Sequence, residues 1–218
     1  MSFPTHPVEQ LHFNMVHVHD TFKFGYESIM KNLDNPTATG EDLPNFLGYC
    51  LAWVTSIIHH HDIEEEAVFP FLNQKMDFSG EEEAHKAIHA GVDVLEKTLL
   101  EAQADNTKFD AAKVKDQIQQ LAEHLFPHLD AEVKHLEPAD VKKAGFDEGE
   151  FKAMNARLDK LAQTKGDPFV LVPFIKAHTP PELQSYWPNM PWYLRKIVIP
   201  YIFARRYSGY WKYAPYPI

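Results

Sequence analysis

At 218 residues, 44% hydrophobic and 24% charged, the chain has the composition of a globular protein with one sizeable core plus an appendage. A formal charge of −10 argues against nucleic acid as a partner, because phosphate binding needs clustered Lys and Arg. The single cysteine, Cys50, sits in the apolar stretch FLGYCLAWV and reads as a core residue rather than half of a disulfide. The first residues carry no basic segment followed by an apolar one, and no run of about 18 apolar residues occurs, so a cytoplasmic protein without a spanning helix is expected.

Five helical stretches are predicted, and strand signals are weak throughout. The first runs from about Pro7 to Leu33 and ends in the turn-forming NLDNPTATG. The second starts near Asp42, with Pro44 in its first turn, and ends at Pro70. The third opens with Ser79-Gly80-Glu81-Glu82, which fits a capping box, and continues to about Ala104. The fourth spans roughly Phe109 to Leu136, with a kink or break expected at Pro127. The fifth covers about Asp147 to Thr164 on an apolar stripe of Phe151, Met154, Leu158 and Leu161.

The last third changes character. Six prolines between Gly166 and Pro191 are too many for a regular helix. From Leu183 onward there are 11 aromatic residues, five bases and no acid, which sets this tail at +5 and leaves −15 on the remaining chain. Trp192 to Tyr207 reads as a helix broken at Pro200. The favoured reading is a strap folded back over the acidic body, its aromatics buried and Arg195, Lys196, Arg205 and Arg206 near the surface. An interfacial membrane contact is the competing one. Three segments follow: 1–138 as a four-helix up-down bundle, 139–165 as an added helical segment, and 166–218 as a Pro- and aromatic-rich extension packed on the bundle.

The chemistry lies in the histidines, of which there are thirteen, dispersed along the chain. His60 and Glu64, His85 and His89, and His128 and Glu132 are each spaced i,i+4, and so share a helix face. A single pair of this kind is ordinarily an exposed polar pair. Three pairs on three helices, with His19 on the remaining one, point instead to ligands converging on a metal in a bundle core. Imidazole with carboxylate suits zinc, iron, copper or nickel rather than calcium or magnesium. The segments starting at His60 and His128 also repeat, reading H-x-D-x-E, then an aliphatic (Val68, Leu136) and a proline (Pro70, Pro138) at matching offsets. Two helices presenting one motif from opposite sides would give a pseudo-symmetric two-metal site. Register stays open in two places: His61 and Glu65 share the spacing of His60 and Glu64, and His12 and His17 compete with His19. His124, one turn before His128, reads as an extra ligand or an outer donor, Asp62 and Asp130 as outer or solvent-facing acids, and His6, His135 and His178 as surface or outer polar residues.

These residues resemble the hemerythrin-like (HHE cation-binding) family over roughly residues 6–138, and the aromatic tail ending in GYWKYAP is similar to that of stand-alone fungal members. The resemblance implies a four-helix bundle holding a bridged non-haem di-iron centre. Its metal ligands would be His19, His60, Glu64, His85, His89, His128 and Glu132. It also favours His60 with Glu64 through the ending Glu64-Glu65-Glu66-Ala67-Val68-Phe69-Pro70, and His19 through Gly25 and Ile29. Two octahedral irons offer about twelve positions; these side chains fill about nine and a bridging oxygen about two more, so roughly one stays open for dioxygen or peroxide. The family's reversible oxygen carriers place an aspartate five residues after the last-helix histidine. Here the acid is Glu132 and position 133 is valine, which sets oxygen transport in doubt but not dioxygen reactivity.

Three functions are therefore in view. The leading one is a di-iron protein that binds, reduces or responds to dioxygen or peroxide. The second is an oxidative enzyme for a small organic substrate, with the tail walling a pocket above the metals. The third is an iron sensor or buffer whose fold depends on occupancy. No Gly-rich phosphate loop and no G-x-S-x-G occurs, so nucleophilic and phosphoryl-transfer catalysis are not expected.

Overall fold

The computed structural model describes residues 2–218, and these are all-helical, without strands. Four long helices make the bundle: α1 (Pro7–Leu33), α2 (Leu43–Ile63), α4 (Ser79–Ala104) and α5 (Ala111–His135). Cross-helix partners show the up-down course, since early residues of each helix meet late residues of its neighbour. His19 meets His60, His85 meets His128, Gln117 bonds Thr98, and Lys115 of α5 reaches Asp34 just beyond α1.

The buried stripes explain the assembly. Leu11, Met15, His19, Phe22, Ile29 and Leu33 line α1; His85, Ile88, Val92, Leu95 and Leu99 line α4; Val114, Ile118, Leu121, Leu125, His128 and Glu132 line α5. Steps of three, four and seven keep each set on one face. The histidines and acids thus occupy core positions of the same stripes as the leucines. They form a polar layer between two apolar clusters. One is built around Phe46, Trp53, Leu95 and Ile118, the other around Leu11, Phe69, Phe78 and Phe151.

Several local expectations are corrected. The second helix does not end at Pro70. It passes through a π-helical stretch, Glu64–Val68, into the short α3 (Phe69–Leu72), and Pro70 falls in that helix's first turn. The π turn has already interrupted the i→i−4 ladder, so a missing N–H at Pro70 costs little there. The fourth helix is not broken at Pro127. Pro127 and Glu123 both face solvent, where water can meet the carbonyl that the proline leaves unpaired. The capping box at Ser79 does not form: Asp77 Oδ1 accepts from the Ser79 N–H and Oγ–H, while Glu82 accepts from Asn73 Nδ2.

Beyond the bundle come α6 (Pro138–Lys143), α7 (Glu148–Thr164) and α8 (Pro168–Ala177). α7 is capped by Asp147, which accepts from Glu150 N–H. α8 forms despite its prolines because Pro168 occupies the first turn and Pro173 removes only one interior bond. The tail helix is π-helical over Leu194–Phe203, with Pro200 inside it rather than at a break, and continues as α9 (Ala204–Arg206). Part of the tail straps back as expected. Trp211 and Tyr213 are buried, Tyr213 O–H donates to Asp42, and Lys212 pairs with the same carboxylate. Trp192, Tyr193, Ile197, Tyr201 and Ile202 remain exposed. Among the described residues no helix is long and apolar enough to cross a membrane.

Candidate metal centre

Seven side chains meet in the polar layer, and all are buried: His19, His60, His61, Glu64, His85, His128 and Glu132. They fall into two groups of donors, His19 with His60, Glu64 and Glu132, and His61 with His85 and His128, and a third group at the edge joins His85 to Glu65 and His89. His19 Nε2 lies 3.0 Å from His60 Nε2, and His85 Nε2 lies 3.0 Å from His128 Nε2. That is the separation of two donors at right angles about one ion with bonds of about 2.1 Å.

The carboxylates link the two histidine pairs. Glu64 Oε1 is 2.9 Å from His60 Nε2, and its Oε2 is 3.8 Å from His85 Nε2. Glu132 Oε2 is 3.4 Å from His19 Nε2 and 3.8 Å from His128 Nε2. Each acid therefore reaches across from one pair to the other, and the repeated H-x-D-x-E segments stand on opposite sides of the layer. Outer partners fix the rings. His19 Nδ1–H donates to the Leu129 carbonyl at 3.1 Å, and His85 Nδ1–H donates to Glu65 Oε1 at 2.9 Å. With Nδ1 holding the hydrogen, Nε2 of each ring presents a lone pair inward, the arrangement that a metal-binding histidine needs.

Electrostatics point the same way. Burial, then the neighbouring histidines, push His60 and His61 well below the ordinary histidine range; burial also lowers His85 and takes His128 to about 4. Each of these four shifts favours the neutral imidazole, the state that ligates. Burial raises Glu64 well above the usual carboxylate range, and the facing Glu132 adds to this. Burial works in the same direction on Glu132, but the contact with His19 and the nearby His128 and His85 outweigh it and hold its pKa down. Both oxygens of each carboxylate and both ring nitrogens of His61 are buried without a hydrogen-bond partner. Orphaned acceptors in this number, facing lone pairs, fit bound cations and little else.

Of the predicted ligands, His19, His60, Glu64, His85, His128 and Glu132 come together here. His89 stands beside them, in a further donor group with Glu65 and His85. It lies at the margin, partly exposed, with Nε2 3.7 Å from Glu65 Oε1. His61 instead stacks on His85 with ring centroids 4.1 Å apart. The competition between His60 and His61 at HHHDIEEE thus has an answer that spacing did not offer. Neighbouring residues on a helix diverge by about 100°, so the two straddle the inward face and serve different halves of the layer. Glu65 likewise has its own task on His85. His124 is exposed, and Asp62 and Asp130 face solvent, Asp130 pairing with Lys23. His135 stacks on Phe78 at 4.2 Å and bonds Glu81, while His6 caps α1. His178 is not at the surface at all. It is fully buried between Tyr49 and Phe174, because α8 docks against α2.

A four-helix bundle with a buried histidine–carboxylate layer defines a metal-binding protein of the helical-bundle kind. The family comparison agrees: residues 13–139 match the hemerythrin HHE cation binding domain, and the chain belongs to that family. A relative, "Dimeric xanthone biosynthesis cluster protein R11" of Cryptosporiopsis sp. (strain 8999), is 26% identical over 212 residues, covering 93% of this chain and 77% of that protein. No solved structure matches the chain.

Proposed function

We propose that the chain holds two iron ions in this layer and that they react with dioxygen or peroxide. The carrying observation is the pair of buried carboxylates, each reaching both histidine pairs, as bridging ligands of a two-ion centre would. His19 and His60 would serve one ion and His85 and His128 the other, with Glu64 and Glu132 shared. His61 rather than His89 would supply the remaining nitrogen of the second position. Iron with an open position would supply oxygen binding and electron transfer to it. The chain's own residues orient and shield: Leu129 carbonyl and Glu65 hold the rings of His19 and His85, and Met15, Phe22 and Phe69 keep bulk water from the layer.

An oxidative enzyme for a small organic substrate is the second reading. It is favoured by a cavity of about 290 Å³ that opens against His60 and Glu64. The relative's place in a cluster named for dimeric xanthone biosynthesis is in keeping with it.

The test is metal content per chain together with the optical spectrum of the reduced protein before and after oxygen. Wild type should carry about two irons and gain a new charge-transfer band on oxygenation. His60→Ala and Glu64→Ala should lose stoichiometric iron. Two irons retained in either variant, or a zinc-only wild type with no spectral change, would refute the assignment.

A further inference from the structure

The tail helix leaves one face without a partner. Its π-helical winding over Leu194–Phe203 closes hydrogen bonds to the fifth residue, so positions four and five apart share a line. Leu194, Ile199 and Ala204 make one such line, with Ile199 and Ala204 buried and the neighbouring Phe203 packed edge-on to Phe169 of α8. Trp192, Ile197 and Ile202 make a second line, flanked by Tyr193 and Tyr201. All five of these are exposed, Trp192 and Tyr201 at 66%. Ordinary winding, at about 100° per residue, would scatter them around most of the circle. The only other large apolar side chains so exposed among the described residues are Val94 and Leu100, on α4.

The charge around this stripe has one sign. Arg195, Lys196, Arg205 and Arg206 lie on the same helix, and Glu182 is the one acid beyond Asp167. Lys212 is spent on Asp42, whereas these four bases have no acidic partner among the described residues. Arg206 lays its guanidinium over the Phe169 and Tyr207 rings, and Lys196 and Arg205 are exposed. Burial, then Lys196 and Arg195, take nearby Lys176 down to about 8, as expected where bases gather without acids.

A partner for this face must be apolar along the stripe and negative beside it. A second copy of the chain meets only half of that. Stripe against stripe would bring two sets of bases together, and outside this helix only Val94 and Leu100 could receive the stripe among the described residues. A bilayer with anionic lipids supplies both. Trp, Tyr and Ile settle at the boundary of headgroups and acyl chains, while Arg and Lys reach the phosphates. We propose that the helix from Trp192 to Arg206 lies in the surface of an anionic membrane, its apolar stripe inserted and its bases on lipid headgroups. This surface is independent of the chemistry at the metal centre.

The experiment is co-sedimentation of the full chain with vesicles of phosphatidylcholine, either alone or with about one-third phosphatidylserine, read beside tryptophan emission. Trp53, Trp187 and Trp211 are already buried, so a blue shift on binding reports Trp192. Wild type should bind the phosphatidylserine vesicles with a blue shift, bind phosphatidylcholine at least about tenfold more weakly, and detach as salt rises. Lys196→Gln with Arg205→Gln should weaken binding at least about tenfold, at about fivefold per base. Trp192→Ser with Tyr201→Ser should weaken it at least about tenfold as well, with helix content and bound metal unchanged, since both positions are exposed. No binding by the folded wild type, equal binding to the two lipid mixtures, or binding unaltered in the Ser variant overturns the proposal. So does a concentration-dependent dimer, lost in the Ser variant and unaccompanied by vesicle binding, which would give this face to a second copy.

Discussion

Acid should loosen the C-terminal extension through His178. Its Nδ1–H donates to the Phe174 carbonyl at 2.7 Å, and its Nε2 accepts from Tyr49 O–H at 2.7 Å, so the docked ring is neutral. Burial is the main cause of a pKa pushed down to about 4 from 6.5. A base whose folded-state pKa lies below its unfolded one stabilises fully above the unfolded value. That contribution drains away as pH falls from about 6.5 to about 4. The whole window is worth about 3 kcal/mol, of which about 2 kcal/mol is lost between pH 7 and pH 5. Urea unfolding of the metal-free protein at pH 7, 6 and 5, wild type beside His178→Gln, isolates this histidine, since every other titrating group is common to both. The variant should be less stable at pH 7, yet lose about 2 kcal/mol less than wild type on acidification. Equal losses in the two proteins would show that His178 does not tie the extension to the bundle in the way its bonds imply.

Gly48→Ala should destabilise the fold by about 1–3 kcal/mol. A Cβ at Gly48 would clash with the Tyr210 ring, and a lowered thermal midpoint reads the cost. His61→Ala should cut bound iron to about half or less, whereas His89→Ala should keep most of it. Metal analysis of the two side by side decides between these histidines, and the opposite order would return the second position to His89. Stripping metal with a chelator should lower stability by about 4 kcal/mol where free metal had stood at about a thousand times its dissociation constant. Removal leaves Glu64 and Glu132 facing one another without a cation, and a chelated protein as heat-resistant as the loaded one would show the layer to be metal-free.

The bundle was legible because its signals are local: stripes stepping by three and four along α1, α4 and α5, and turns rich in Asn, Pro and Gly between them. The inward faces of His85 and His128 followed from the same periodicity, whereas His19 and His60 were picked out from their neighbours by the family resemblance. What escaped the sequence depends on contacts between distant segments. His61 turns inward because the layer is wide enough to take two adjacent helical positions, which spacing on one helix does not reveal. Glu65 was set aside as the loser of a register contest, although it bonds a histidine from another helix. His178 carries no sequence mark of burial; its surroundings are Tyr49, 129 positions away, and a helix that the prolines argued against. Trp187 was legible only as one aromatic of a tail expected to fold back; that it would bond Asn14, on the far side of the sequence, was not.

The π-helical stretch at Glu64–Val68 has a consequence for how this chain tolerates change in length. Such a stretch houses one residue more than an α-helix of the same rise, so its presence amounts to an insertion that the helix has absorbed without a loop. Removing a single residue after Glu65 would let the helix revert to ordinary winding and leave the ligands at 60, 61 and 64 in place. Phe69 and Leu72, which close the far apolar cluster, would keep their facing, because the extra residue had been taken up inside the wide turn. The stretch acts as an expansion joint between the polar layer and the lower half of the bundle. Shortening the chain by one residue at that joint leaves both halves of the molecule in register.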